Sequence, residues 1–203
     1  TAVYCCTDTE FLGDIVVADI IKTDSREAID RLHRMGMKQA IMLTGDRESI
    51  AADIAAKAGL DGYYAKLLPE EKVQRVQALQ QQGHTVLYAG DGINDAPVLA
   101  AADLGVAMGG AGADVAIEAS DMVIQGDSLS QLPVGVTVAR KTVGIARENI
   151  IFAIAVKLLI ILGCAVGIFD ENAMWLAVFG DVGVCLLAVA NALRVLHIRK
   201  KKK

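Results

Sequence analysis

Short apolar runs and segments of helical spacing alternate along the chain as far as Ile124, and beyond Asn149 charged residues almost disappear until the last ten positions. Val3 to Cys6 and Ile15 to Ala18 read as strands, separated by polar Thr7-Asp8-Thr9-Glu10, which suggests a hairpin. Asp24 with Glu27 resembles a helix-capping pair, and Ala28, Ile29, Leu32 and Met35 then recur on one helical face up to Gly36. Strand-like runs at 39–43, 63–65, 85–89, 104–107 and 122–124 alternate with helical ones at 49–58, 70–82, 96–102 and 115–119. That alternation predicts an α/β fold, a parallel sheet with right-handed crossovers and helices on both faces. Beyond it, 129–147 places Leu132, Val136, Ala139, Val143 and Ile145 beside Arg140, Lys141 and Arg147, an amphipathic helix expected to lead up to a bilayer. The runs 150–169 and 174–193 then carry one ionisable residue each, Lys157 and Asp181. At about 1.5 Å per residue each run is long enough to cross roughly 30 Å of hydrocarbon.

The overall net charge of −4 and hydrophobic content of 54% conceal this division. Between Asn149 and Leu193 the only charged residues are Lys157, Asp170, Glu171 and Asp181, so a water-soluble domain is expected to precede a two-helix membrane hairpin. Arg140, Lys141 and Arg147 stand before the first span, and Arg194 with the basic stretch to Lys203 follows the second, whereas Asp170 and Glu171 occupy the connection. The positive-inside rule puts both ends in the cytoplasm. The closing lysines read as a headgroup anchor, and no nucleic-acid role is assigned to them. No basic, apolar and small-residue succession marks a signal peptide at the start, and an opening strand without a cap suggests a piece of a longer chain. Cys5 and Cys6 are adjacent, and Cys164 and Cys185 lie in the apolar runs, so no disulfide framework is expected and a reducing compartment is implied.

Three stretches carry candidate chemistry. Gly90-Asp91-Gly92-Ile93-Asn94-Asp95 follows an apolar strand and offers two hard carboxylates on a turn that the glycines open to close approach, a cradle suited to Mg²⁺ and phosphate. Thr44-Gly45-Asp46 ends another strand, and Pro69-Glu70-Glu71-Lys72 opens a helix, so all three are expected at the carboxyl edge of the sheet, where open α/β folds bind ligands. Singly, each has a plain alternative as a polar turn or a solvated first-turn lysine. The glycines from Gly105 to Gly112 fit neither phosphate-loop fingerprint and are read as structural. In the apolar runs, Lys157 and Asp181 would each cost a few kcal/mol in lipid and need compensation. The simplest is mutual pairing, a structural role. With both residues eighth in oppositely running spans, the axial offset between them is within what a lysine side chain and uncertain span limits can close.

The order T-G-D, P-E-x-K, G-D-G-x-N-D-x-P resembles the second half of the phosphorylation domain of P-type ATPases, a branch of the haloacid-dehalogenase-like fold. The resemblance implies a partial Rossmannoid sheet over residues 1–128, a coupling helix over 129–149, transmembrane helices near 150–169 and 174–193, and a basic cytoplasmic tail over 194–203. Asn149 with Lys157, and Asp181-Val182-Gly183, further resemble the zinc, cadmium and lead exporters of the heavy-metal branch. By that resemblance ATP phosphorylates an aspartate in a D-K-T-G-T motif, which this sequence lacks. Asp91 and Asp95 would hold Mg²⁺, Asn94 would support them, and Gly90 and Gly92 would line the cofactor. Thr44 would bond the phosphoryl oxygens, Gly45 and Asp46 would shape that loop, and Lys72 would supply positive charge. Asp181 would ligate the transported metal, with Lys157 as built-in counter-ion, while Cys164 and Cys185 are read as packing. Implied partners are the bilayer and the remaining pump domains, that is the actuator, the nucleotide-binding domain and the first transmembrane helices. The expected location is the plasma (bacterial inner) membrane. Two rivals remain at this point: a phosphatase of the same fold, which the apolar spans disfavour, and a catalytically inactive membrane module used for interaction.

Overall fold

The computed structural model describes residues 2–7, 9–16, 21–90, 93–109, 117–126, 128–168 and 173–197. The chain divides into two compact units, Thr1–Leu132 and Pro133–Lys203.

The first unit opens with an antiparallel hairpin of β1 (Ala2–Cys6) and β2 (Phe11–Val16), with a bulge between Cys5 and Cys6. The second strand starts earlier than the apolar pattern suggests, because Thr7 and Glu10 close the turn through their backbone and the Thr7 hydroxyl. Then follow α1 (Ser25–Arg34), β3 (Ile41–Leu43), α2 (Glu48–Ala58), β4 (Gly62–Tyr64), α3 (Pro69–Gln81), β5 (Leu87–Gly90), a single 3-10 turn (Ile93–Asp95), α4 (Ala96–Ala101), β6 (Leu104–Met108) and β7 (Met122–Ile124). The helix expected at 115–119 is described only at its end, where residues 117–118 are helical.

All ladders after the hairpin are parallel, as the alternation predicts, but among the described residues they form two separate sets, β3–β4 and β5–β6–β7. One device fixes the register in both. Asp61, just before β4, accepts the Ala40 N–H at 2.7 Å. Asp103, before β6, accepts that of Val86 at 2.8 Å, and Asp121, before β7, accepts that of Gly105 at 2.8 Å. Each carboxylate caps an N–H that the short neighbouring strand leaves unpaired, and so holds the amino edge of the sheet while the carboxyl edge stays available for chemistry.

The core is built from small and branched apolar faces. Ala28, Ile29 and Leu32 of α1, and Ala51, Ala55 and Ala58 of α2, are buried at the spacing expected of helices packed on a sheet. Leu99, Val98 and Val106 are fully buried at the contact of α4 with β6, each contributing about 1.5–3 kcal/mol. The approach is so close that a Cβ on Gly105 would fall 2.4 Å from the Leu99 carbonyl oxygen, so that position takes only hydrogen.

Asp24 departs from its expected role. It makes no side-chain bond to α1; its carboxylate instead accepts the Ser128 hydroxyl at 2.5 Å and the Ser130 N–H at 3.2 Å, capping the chain just before the long helix that starts at Gln131. The Ser128 hydroxyl, followed by the Ser130 amide, lowers the Asp24 pKa below its ordinary 3.8. A carboxyl depressed on folding stabilises the fold above its unfolded pKa and loses that contribution as pH falls through the lower folded value. Asp24→Asn is therefore expected to flatten the acid limb of the stability profile. Urea midpoints between about pH 2 and 6 check it, and a variant that keeps the parental slope would refute it.

The second unit holds two helices long and apolar enough to cross a bilayer. Here α5 (Gln131–Ala165) runs through the expected boundary at 149–150 without a break, so the amphipathic segment and the first span are one helix of about 50 Å. It stops four residues short of Phe169: Gly167, at φ 76°, and Ile168 turn back onto the carbonyls of Cys164 and Gly163 in a Schellman cap. After it, α6 (Ala173–Ala192) passes into a 3-10 turn, Leu193–His197. The tail beyond residue 197 and the acidic connection Asp170-Glu171 lie outside the described residues.

Candidate functional site

Two loops at the carboxyl ends of β3 and β4 are stitched together. The Thr44 N–H continues the ladder to the Tyr64 carbonyl at 2.9 Å, Leu67 N–H bonds the Thr44 carbonyl at 3.0 Å, and Lys66 N–H bonds that of Asp46 at 2.9 Å. Within the loop the Thr44 hydroxyl donates to Asp46 Oδ2 at 2.7 Å and accepts the Asp46 N–H at 3.1 Å. The Thr44–Asp46 pair thus shapes its own turn, and the hydroxyl proton is held by Asp46 until a stronger acceptor takes it. Gly45 faces the Leu67 carbonyl at an ordinary 3.5 Å, so its lack of a side chain is not a spatial necessity. Lys66 is the one described non-glycine residue with positive φ, at 56°. It places a cation on a strained turn beside the Thr44 loop, and its lysine identity gives no sequence signal for that conformation.

The next residues begin α3. Pro69 occupies the first turn, where its missing N–H costs nothing, and the Glu71 carboxylate reaches back to the Leu68 N–H at 2.8 Å. The following residue, Lys72, points to the strand end: its Nζ lies 2.9 Å from Asp95 Oδ1. The Tyr88 hydroxyl of β5 donates to the same oxygen at 2.9 Å. The pair is well covered, with 17% and 13% of the two side chains exposed, so the charges are held in a medium that strengthens them. Gly90 makes the arrangement possible, because a Cβ there would lie 2.9 Å from Asp95 Oδ2 and 3.0 Å from both Asp95 Cβ and Tyr88 Cε1.

The structure therefore brings Lys72, Tyr88, Gly90 and Asp95 together on one side, and Thr44, Asp46 and Lys66 on another. Asn94 sits exposed in the 3-10 turn. Asp91 and Gly92 lie outside the described residues. Tyr88 has no role in the sequence reading, although a phenol inside an apolar strand is a residue that needs a polar partner. Among the described residues no cluster of three or more His, Cys, Asp or Glu side chains would hold a metal. The donor set instead fits Mg²⁺ bound as it usually is beside phosphate, by one or two carboxylates at a strand end with phosphate oxygens and water completing the shell. Asp95 suits this in part, since Oδ1 is taken by Lys72 and Tyr88 while Oδ2 lies against Gly90.

In the hairpin, Lys157 Nζ meets Asp181 Oδ1 at 2.9 Å. The pair joins α5 to α6, yet 68% and 64% of its side chains remain exposed on this segment. An ion pair at membrane depth is costly against acyl chains, so its open side calls for protein or a water-filled path. Cys164 is half-buried and Cys185 exposed, and both are free thiols. Nearer one end of the hairpin Asn149, Asn191, Arg194 and Glu148 form a polar network that residue spacing did not reveal.

Residues 1–103 match the family model of haloacid dehalogenase-like hydrolases. The cadmium, zinc and cobalt-transporting ATPase of Bacillus subtilis (strain 168) is 43% identical over 99% of this chain, which spans 29% of that protein. The zinc-transporting ATPase of Synechocystis sp. is 47% identical over 96% of the chain and 27% of its own length. Among solved structures, a zinc-transporting PIB-type ATPase in its E2.Pi state aligns with 97% of the chain at 38% identity and a TM-score of 0.83, the match covering 31% of that protein. The chain thus spans less than a third of the length of these relatives. With a parallel sheet bearing the motif loops, two bilayer-length helices and these matches, the chain belongs to the haloacid dehalogenase-like hydrolase family, and it is similar along nearly all its length to one segment of the PIB-type ATPases.

Proposed function

We propose that the complete protein exports zinc or cadmium, and by the same chemistry lead, from the cytoplasm at the expense of ATP, through an aspartyl-phosphate formed on a part of the protein outside this segment. The observation that carries the reading is the Lys157–Asp181 pair, held at 2.9 Å across two apolar helices and left open to one side. A carboxylate is a suitable ligand for a divalent ion, and a lysine beside it competes for the same oxygens, so the site binds cargo only while the lysine is displaced.

At the sheet, Asp91 and the Oδ2 side of Asp95 would hold Mg²⁺, which when bound neutralises charge on the transferring phosphoryl group. Lys72 orients Asp95 and brings positive charge to the site. Thr44 exchanges its bond to Asp46 for one to a phosphoryl oxygen, with Gly45 and Asp46 keeping the loop in shape. Asn94 supports the turn that carries Asp95. The β3 and β5 edges that lack a ladder partner among the described residues would receive a strand from the nucleophile-bearing part, and its carboxyl end would arrive between the Thr44 and Asp91 loops. Both ends of the hairpin lie on the cytoplasmic side of the plasma membrane in this reading, and α5 carries motion from the catalytic domain to the ion pair.

The test is ATP hydrolysis by the complete protein in lipid vesicles. Zinc or cadmium is expected to raise the rate and produce an acid-stable phosphoenzyme, and chelation to return it to baseline. Hydrolysis of small phosphate esters at a rate indifferent to these metals would instead make the protein a membrane-tethered phosphatase.

A further inference from the structure

The less exposed positions of the two hairpin helices are largely small or apolar, among them Ala153, Val156 and Ile160 on α5 and Gly180, Val184 and Ala188 on α6, and such side chains offer little to stop one helix sliding along the other. What fixes their axial position is a polar network of backbone and side-chain amides. Asn149 Nδ2 donates to the Ala188 carbonyl at 3.0 Å, and Asn191 Nδ2 donates to Asn149 Oδ1 at 2.8 Å. Arg194 closes the set, donating to Asn191 Oδ1 at 2.8 Å and reaching Glu148 Oε2 at 3.3 Å. The Ala188 carbonyl lies within α6, so this bond uses the second lone pair of a group that the helix already employs.

This network and the ion pair report one register. Eight residues separate Asn149 from Lys157, about 12 Å along α5, and ten separate Asp181 from Asn191, about 15 Å along the antiparallel α6. The difference of about 3 Å is within the span of a lysine side chain, whereas a slip of one turn, about 5.4 Å, would break the amide bonds and draw Nζ from the carboxylate together. Gly180 gives an independent marker of the same register, since its Cβ position lies 2.5 Å from Ile160 Cδ1.

We infer that Asn149 and Asn191 are positioning residues that lock α5 against α6 and so set the meeting of Lys157 with Asp181. The register lock stands on the hairpin alone; its effect on metal handling rests on the function proposed above.

The test reads each part separately. In this chain, placed in lipid nanodiscs with Cys5, Cys6, Cys164 and Cys185 changed to alanine, Ile160→Cys with Gly180→Cys is expected to form a disulfide under mild oxidation. Adding Asn149→Ala or Asn191→Ala should lower the rate of that cross-link about fivefold or more. Asn149→Asp, which keeps the acceptor for Asn191 and loses the bond to Ala188, should give an intermediate rate, so a failure of either alanine variant to insert leaves a readable outcome. Cross-linking at the parental rate in Asn149→Asp and in any inserted alanine variant overturns the lock. In the complete ATPase, Asn191→Ala should raise the metal concentration for half-maximal stimulation about tenfold or more with a smaller change in the maximal rate. An unchanged half-maximal concentration overturns the link to the ion pair. A parent protein that never responds to metal while the cross-link still depends on the asparagines overturns the export reading and upholds the lock.

Discussion

Asp181→Ala in the complete protein is expected, on the function proposed above, to abolish stimulation of ATP hydrolysis by zinc or cadmium, a loss of about a hundredfold or more. Asp181 is the only carboxylate of α6, and its sole described charged neighbour is Lys157. Removing it takes away the hard, anionic donor and leaves an ammonium group at the place a dication would enter, so the ion meets repulsion where it had a ligand. Asp181→Asn should behave nearly as badly, because the amide keeps the shape but loses the charge. Lys157→Ala is the informative contrast. It should permit binding and slow release, lowering turnover while the metal concentration needed for stimulation stays the same or falls. Normal stimulation by zinc in Asp181→Ala, with intact zinc tolerance in cells, would show that the carboxylate only supports the helix pair.

The second large effect is expected at Lys72. Lys72→Ala leaves Asp95 a largely buried carboxylate with the Tyr88 hydroxyl as its only described partner. Breaking one side of a covered pair costs about 2–4 kcal/mol, since the remaining charge stays desolvated. Phosphoenzyme formed from ATP should fall about a hundredfold as Asp95 moves from the position the pair imposes. Tyr88→Phe removes one neutral donor from the same oxygen and should cost only about 1 kcal/mol, with activity reduced in proportion. A Lys72→Ala enzyme that keeps its phosphoenzyme level and its unfolding midpoint would remove Lys72 from the site altogether.

Where the sequence was legible, local rules sufficed. Alternating periods announce parallel strands and helices, the glycine-flanked acidic turn marks a strand end suited to phosphate, and the apolar runs are long enough to cross lipid. What escaped it depends on distance along the chain. Lys72 and Asp95 are 23 residues apart and share an oxygen only once α3 is folded against the end of β5. Asp24 has the residues of a local cap around it, yet serves a backbone amide 106 positions away. The three strand-start aspartates look like ordinary turn residues until the neighbouring strand is known. The continuity of α5 was hidden by composition, since polarity falls away at Asn149 without any residue that stops a helix. The asparagine network was hidden likewise, its members being 42 residues apart on opposite strokes of the hairpin.

The separate ladders of the first unit bear on how such a protein comes to be made. Among the described residues β3 and β5 are each paired on one side only, so zippering of segments adjacent in sequence does not join the two ladders. A chain truncated before Gly90 would thus keep β3 and β4 but lose the ladder of β5, β6 and β7, offering water, chaperones and protease a permanently unfinished edge.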